Sequence, residues 1–184
     1  MKRSSFIERF CRDFARDRRG VSAIEFALIA PFLIVLYMGM AELSQGMTAQ
    51  RRASHAASAL GDLVTQSDTI TAANVDDVLN AATTIMKPFA TGSLKLRITS
   101  VTADSNGNPK SEWSRGKNGL TAYANGAAVT IPTGLMSAGD NLLVSEAAYT
   151  YTSPVTTLLP HPLTFSEKFY LKARKGSKVT CTGC

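Results

Sequence analysis

Histidine, tryptophan and cysteine are scarce: two, one and three in 184 residues. That scarcity excludes much chemistry. His55 and His161 stand alone, so neither has the setting of a catalytic base, and a zinc site built on Cys181 and Cys184 would lack two further ligands. No nucleophile elbow, phosphate loop or metal box is present, and the carboxylates are scattered. No catalytic residue, metal or cofactor is expected, and the chain does not read as an enzyme. Acidic residues are also outnumbered, 14 against 20 Lys and Arg, for a net charge of +6. The excess is local. Residues 1–20 hold Lys2, Arg3, Arg9, Arg12, Arg16, Arg18 and Arg19 against only Glu8, Asp13 and Asp17. The rest of the chain is nearly balanced, so no nucleic-acid partner is expected.

Charge is almost missing from the next stretch. From Val21 to Ala41, Glu25 is the only charged residue. As a helix these residues span about 31 Å at roughly 1.5 Å per residue, which matches a hydrocarbon core of about 30 Å. The stretch is too long for a buried core helix. It is also longer than a secretory signal's apolar region, and no cleavage site of small residues follows it. Seven Lys and Arg precede the span, whereas only Arg51 and Arg52 closely follow it, which predicts a cytoplasmic N-terminus. Pro31 removes one backbone donor within the span, and Gly39 and Gly46 offer small surfaces to another helix.

Glu25 is costly in lipid unless it has a partner. One reading is a tolerated interfacial acid. Another follows from a cut after Gly20, which would place a new α-amino group on Val21, one helical turn from the carboxylate.

"RRG" followed by "VSAIEF" and an apolar helix resembles the cleavage motif of type IV prepilins: a basic leader, a glycine, and a glutamate fifth after the cut. The Glu25-Phe26 pair is similar to that of the tight-adherence (Flp/Tad) branch. The stretch from Arg18 to Leu43 resembles the N-terminus of TadE-like pseudopilins, a minor-pilin group. The length agrees, since major Flp pilins are far shorter and TadG-like members much longer. The resemblance implies cleavage between Gly20 and Val21 by a prepilin peptidase, with Glu25 and Phe26 serving processing and helix docking. It implies partners in other pilins and pseudopilins through the N-terminal helix, in the pilus assembly platform and in the membrane. It places the chain in a bacterial inner membrane, with a cytoplasmic N-terminus and a periplasmic C-terminal domain, or in the pilus at the cell surface. The alternative is an uncleaved single-span protein whose outer domain senses or binds a ligand.

The expected organisation is a cytoplasmic leader over 1–20, a transmembrane helix over 21–41, its amphipathic continuation over 42–66, and an extracytoplasmic domain over 67–184. In the continuation Met47, Ala53, Ala56, Leu60 and Leu63 or Val64 recur at helical spacing, and the alanines predict close packing on something flat. A second helix, capped by Thr69 or Thr71, carries the stripe Val75, Val78, Leu79, Ala82, Ile85 and Met86 and stops at Pro88. Then the period becomes two. Leu94, Leu96 and Ile98 mark a strand, "DSNGNP" a hairpin turn, and "KSEWSR" a returning strand with Trp113 buried. Residues 116–128 read as loop and 142–153 as a strand. An irregular Pro-rich stretch follows, and a last hairpin is expected around Lys175 and Gly176.

The sum is an α+β fold: a long N-terminal transmembrane and amphipathic helix, a second helix, then an antiparallel sheet of four to five strands. This is also the pilin-like arrangement that the resemblance implies.

Cys11 falls in the leader. Cys181 and Cys184 permit three readings: a structural disulfide suited to an oxidising compartment, a free or intermolecular pair, or a redox or metal site. The basic run Lys168, Lys172, Arg174, Lys175 and Lys178 reads as a solvated face, with acidic lipid or a partner as the alternative.

Overall fold

In the computed structural model the described residues are 20–155 and 160–184. The expected leader lies outside them except for Gly20, as does Cys11, and the Pro-rich stretch after β4 is described only in part. The chain divides into two compact units, Met1–Leu43 and Ser44–Cys184.

Helix α1 runs from Val21 to Thr65, 45 residues with Pro31 inside it. Within the first unit its side chains are large, apolar and exposed: Leu28 is 76% exposed, Phe32 69% and Phe26 66%. Within the second unit α1 buries Ala49, Ala53, Ala56, Ala57, Leu60 and Val64. Of the expected pair Leu63 or Val64 it is Val64 that is buried, while Met47, also expected on this inner stripe, is exposed. The reason is spacing. At Gly61 even a Cβ would lie 2.6 Å from Leu171 Cδ1 and 3.2 Å from Ser145 Cβ. The Ser145 hydroxyl donates directly to the α1 carbonyl of Ala57, at 2.6 Å. Where the helix comes this close to the sheet there is room only for alanine and glycine, while Leu60 and Val64 are buried beside them.

Strand β1 is Thr69–Thr71, and helix α2 follows over Ala72–Thr84. Of the two expected caps, Thr71 does the work: its side-chain oxygen accepts from the Asn74 N–H at 3.2 Å, while Thr69 belongs to β1. Val75, Leu79, Ala82 and Met86 are buried, and Val78 and Ile85 pack beside them. Beyond the helix end, Arg52 of α1 donates to the carbonyls of Ile85 and Lys87, at 3.1 and 2.6 Å. These carbonyls would otherwise lack partners. The Lys87–Pro88 peptide is cis.

A 3-10 turn at Thr91–Ser93 leads into β2, Leu94–Ala103. Strands β3 (Pro109–Lys117), β4 (Asn141–Tyr151) and β5 (Leu163–Leu171) complete an antiparallel sheet of order β3-β2-β4-β5. Asp104 shapes the β2–β3 turn by accepting from the N–H groups of Asn106 and Asn108, each at 2.9 Å. The inner face of the sheet, with Leu94, Leu96, Ile98, Leu143, Ala147 and Tyr149, joins the alanines of α1 and the stripe of α2 in one core. Trp113 is buried there, and its Nε1 donates to the Val179 carbonyl at 2.8 Å.

The end of the chain departs from expectation. Strand β5 begins at Leu163, twelve residues before the turn expected at Lys175. That hairpin does not form. Gly176 turns the chain with φ +69°, but β6 (Thr180–Thr182) leaves the main sheet and pairs in parallel with β1, Thr69 opposite Thr180 and Ile70 opposite Cys181. The Arg174 N–H donates to Thr65 at the end of α1, and the Thr180 N–H to the Asp68 carbonyl. The C-terminal tail therefore straps the α1–β1 turn instead of extending the sheet.

Candidate functional site

The expected site residues lie at the start of α1. Gly20 precedes the helix and Val21 is its first residue. Among the described residues no atom lies within 4 Å of where a Cβ on Gly20 would sit, and its φ is outside the left-handed region. The described fold therefore makes no demand for glycine there. Glu25 is exposed on α1 one turn beyond Val21, on the same helix face by its spacing, and Phe26 follows it. Among the described residues Glu25 has no ion-pair partner. By length and composition α1 qualifies as a membrane-crossing helix, and none of its most apolar window is buried.

Cys181 and Cys184 are paired in the structure with their Cα atoms 5.7 Å apart. Among the described residues no group of three or more His, Cys, Asp or Glu side chains is placed to hold a metal ion.

The basic run is largely tied down. Lys168 pairs with Glu146 at 2.8 Å, Arg174 with Asp62 of α1, and Lys178 with Glu112 of β3. Only Lys172 and Lys175 of the run lack an ion pair among the described residues. All five side chains are exposed, so the run is a solvated face as expected, and the topology sets three of its bases beside acids far away in sequence.

Three strands build a charge network on the outer face of the sheet. Arg97, Glu146 and Lys168 sit in register across β2, β4 and β5. The Arg97 Nε donates to Glu146 Oε2 at 2.5 Å, its guanidinium also donates to the Thr121 carbonyl and the Tyr123 hydroxyl, and it lies 4.0 Å from the Tyr123 ring centroid. Burial works to raise the Glu146 pKa, but the hydrogen bonds and charges of Arg97 and Lys168 outweigh it and hold the carboxyl below its ordinary value. The Lys168 ammonium is correspondingly raised, chiefly by its hydrogen bond to Glu146. Asp104 is lowered to about 2 by the N–H of Asn108 and by Lys110. Its carboxylate is fully occupied by these donors.

The network pins the loop after β3. Residues 114–125 and Cys184 line an open cavity of about 580 Å³ there. The cations on its wall are engaged elsewhere, Arg115 by Asp76 and Lys117 by Asn80 of α2. The sequence reads residues 116–128 as loop, with Ser114 and Arg115 at the end of the strand before it. Sequence reasoning missed the apolar alternation of Leu163, Phe165, Phe169 and Leu171, a period-two signal that was there to find.

The family model described as TadE-like protein matches residues 20–61. No curated protein and no solved structure matches the chain. The match begins at the glycine that the fold does not require and runs through the exposed apolar half of α1 into its alanine stripe. Over these 42 of its 184 residues the chain is similar to the TadE-like family, which is associated with the Tad/Flp pilus system.

Proposed function

We propose that the chain is a pseudopilin or minor pilin that enters the inner membrane with residues 1–20 in the cytoplasm, and that a prepilin peptidase cuts between Gly20 and Val21. Residues 21–41 then lie in lipid, residues 42–66 continue the helix, and residues 67–184 form the periplasmic domain. The mature helix docks against pilin and pseudopilin helices and so takes part in assembling a tight-adherence pilus. One observation carries the reading: a run of large, exposed apolar side chains is headed by a glycine for which the described fold has no use. A small residue there suits a crowded protease subsite, where an extended backbone must approach the catalytic groups. The division of the chain after Leu43 supports a boundary between a membrane segment and an outer domain. In the periplasm, Cys181 and Cys184 stay bridged.

Glu25 guides docking by pairing with the Val21 amine of a neighbouring subunit or its own. An exposed acid on an otherwise uncharged span supports this, because a partner offsets the cost of carrying it into the bilayer. The test uses Glu25→Gln as the only copy in piliated cells, with processing and insertion followed in parallel. The expected result is a cleaved, inserted protein and few or no pili. Normal pilus numbers from fully processed Glu25→Gln would remove any assembly role for the charge. Gly20→Val is expected to leave uncut precursor in the membrane; normal maturation of that variant would overturn the cleavage site. An intact, functional Met1 chain would point to a single-span sensor or binding protein instead.

A further inference from the structure

The two edges of the main sheet are finished differently. The β3 edge is covered by its own downstream loop. The Ser111 N–H donates to the Ala127 carbonyl at 2.9 Å, the Gly126 N–H to Ser111 at 2.7 Å, and the Val129 N–H to Pro109 at 3.2 Å. The β5 edge has no such cover. Among the described residues no backbone hydrogen bond reaches Leu163–Leu171 from the side away from β4. The strand pairs with β4 over nine residues without a bulge.

An open edge is usually guarded by charge, proline or a bulge. The two mid-strand charges of β5 are engaged within the chain, Lys168 on the outer face with its side chain 49% exposed and Glu167 in the inner row between Phe165 and Phe169. Lys168 reaches across to Glu146 of β4, and Glu167 accepts from Gln50 of α1 at 3.2 Å. The core is also unfinished on this side. Leu94, Leu96, Ile98 and Leu143 in the inner strands are fully buried, whereas Leu163, Phe165, Phe169 and Leu171 are only partly covered.

We infer that β5 is a docking edge for an extended segment of a different protein, apolar on the face that continues the Phe165–Phe169 row and acidic on the face beside Lys172, an exposed cation with no ion pair among the described residues. Backbone pairing supplies the affinity and side-chain alternation the register. A second copy of this chain does not fit. Gly46 faces Leu163, Gln50 reaches Glu167 and Gly61 faces Leu171, so α1 runs in the same direction as β5. Antiparallel β5–β5 pairing would set the two α1 helices in opposite directions, which copies anchored in one membrane cannot adopt; this step alone rests on the proposed membrane anchorage. Parallel pairing about a two-fold axis along the strands would bring the apolar row of one copy beside the polar row of the other. A purely translated copy would offer its covered β3 edge.

The probe is a nine-residue peptide alternating valine and glutamate, matched to the length of β5 and added at about millimolar concentration to the full chain in detergent micelles. Amide hydrogen exchange is read over 163–171 and 109–117. The peptide is expected to slow exchange in β5 about tenfold and to leave β3 unchanged. A valine–lysine peptide and a centrally proline-substituted peptide are expected to have no effect. The double variant Thr164→Glu/Ser166→Glu adds like charge at two exposed positions and is expected to lose most of the protection. No slowing in β5, equal slowing by the lysine peptide, or slowing in β3 would overturn the inference. So would protection that rises with protein concentration in the absence of peptide, since that would mean a second copy. The readout needs neither cleavage nor pilus formation, so a failure here is separable from a failure of the pilus reading.

Discussion

The two halves of α1 solve opposite problems with one continuous helix. Residues 21–43 carry phenylalanine, leucine and isoleucine and leave them exposed; residues 44–65 carry an alanine and glycine stripe and bury it. Side-chain size follows from where the partner lies. A stripe that meets a flat sheet of its own chain must be thin, since each added methylene pushes the two surfaces apart. A surface meant for lipid or for other helices is not so constrained, and there large side chains remove more apolar area from water. Exposed apolar bulk in one half and buried small residues in the other thus separate a surface the chain leaves open from one it covers itself.

The comparison can be broken most directly by one substitution made in both halves. Ala57→Leu, at a fully buried position, is expected to destabilise the domain by about 1–3 kcal/mol. Ala27→Leu, at an exposed position, is expected to leave stability unchanged. Urea unfolding followed by the fluorescence of Trp113 reads both. Equal losses would show that the halves are packed alike.

Reduction of the cystine is expected to cost less than about 2 kcal/mol, because a loop this short constrains little unfolded chain. The loss should be confined to unfolding of the Ser44–Cys184 unit, and no loss on reduction would count against the bridge.

The glycines of α1 sharpen the contrast further. Gly46→Ala gains helix propensity, and its Cβ would meet Leu163 and Tyr151 at an ordinary 3.7 Å, so a gain of about 0.5–1 kcal/mol is expected. Gly61→Ala would crowd Leu171 and Ser145 and is expected to lose about 1 kcal/mol. Gly39→Ala meets nothing within 4 Å and should not disturb the outer fold. Thermal midpoints of the three variants rank them, and a stabilising Gly61→Ala would contradict the close approach.

The smallest effect separates the inner face of the sheet from its outer face. Glu146 has a folded pKa below its ordinary 4.5, so its contribution to stability is fully present above that value and lost as pH falls through the lower folded value. Stability measured from pH 6 downward is expected to decline below about 4.5. Glu146→Gln should flatten part of that decline while leaving the alanine stripe intact. An unchanged acid limb in the variant would show that Glu146 is not coupled to folding.

How much of this was legible depends on the range of the interaction. The helix over the apolar run, the α2 stripe, the strand at Leu94–Ile98 and the buried Trp113 follow from local period and capping, and the structure has them. Met47 falls off the stripe because periodicity reports hydrophobicity but not the distance to the opposite surface. The final hairpin was misread because a turn glycine at Gly176 is local, whereas the pairing of β6 with β1 joins residues more than a hundred positions apart. Ion pairs such as Arg174–Asp62 are hidden for the same reason. At the start of α1 the motif is readable because its residues lie close together in sequence, within the stretch that the family model matches.

The most direct test of the central claim is the N-terminal residue of the protein recovered from the membranes and pili of its host, read by intact mass and terminal peptide sequencing. The account predicts a chain that begins at Val21, with its exposed apolar half intact. A protein that begins at Met1 while pili assemble normally would contradict it.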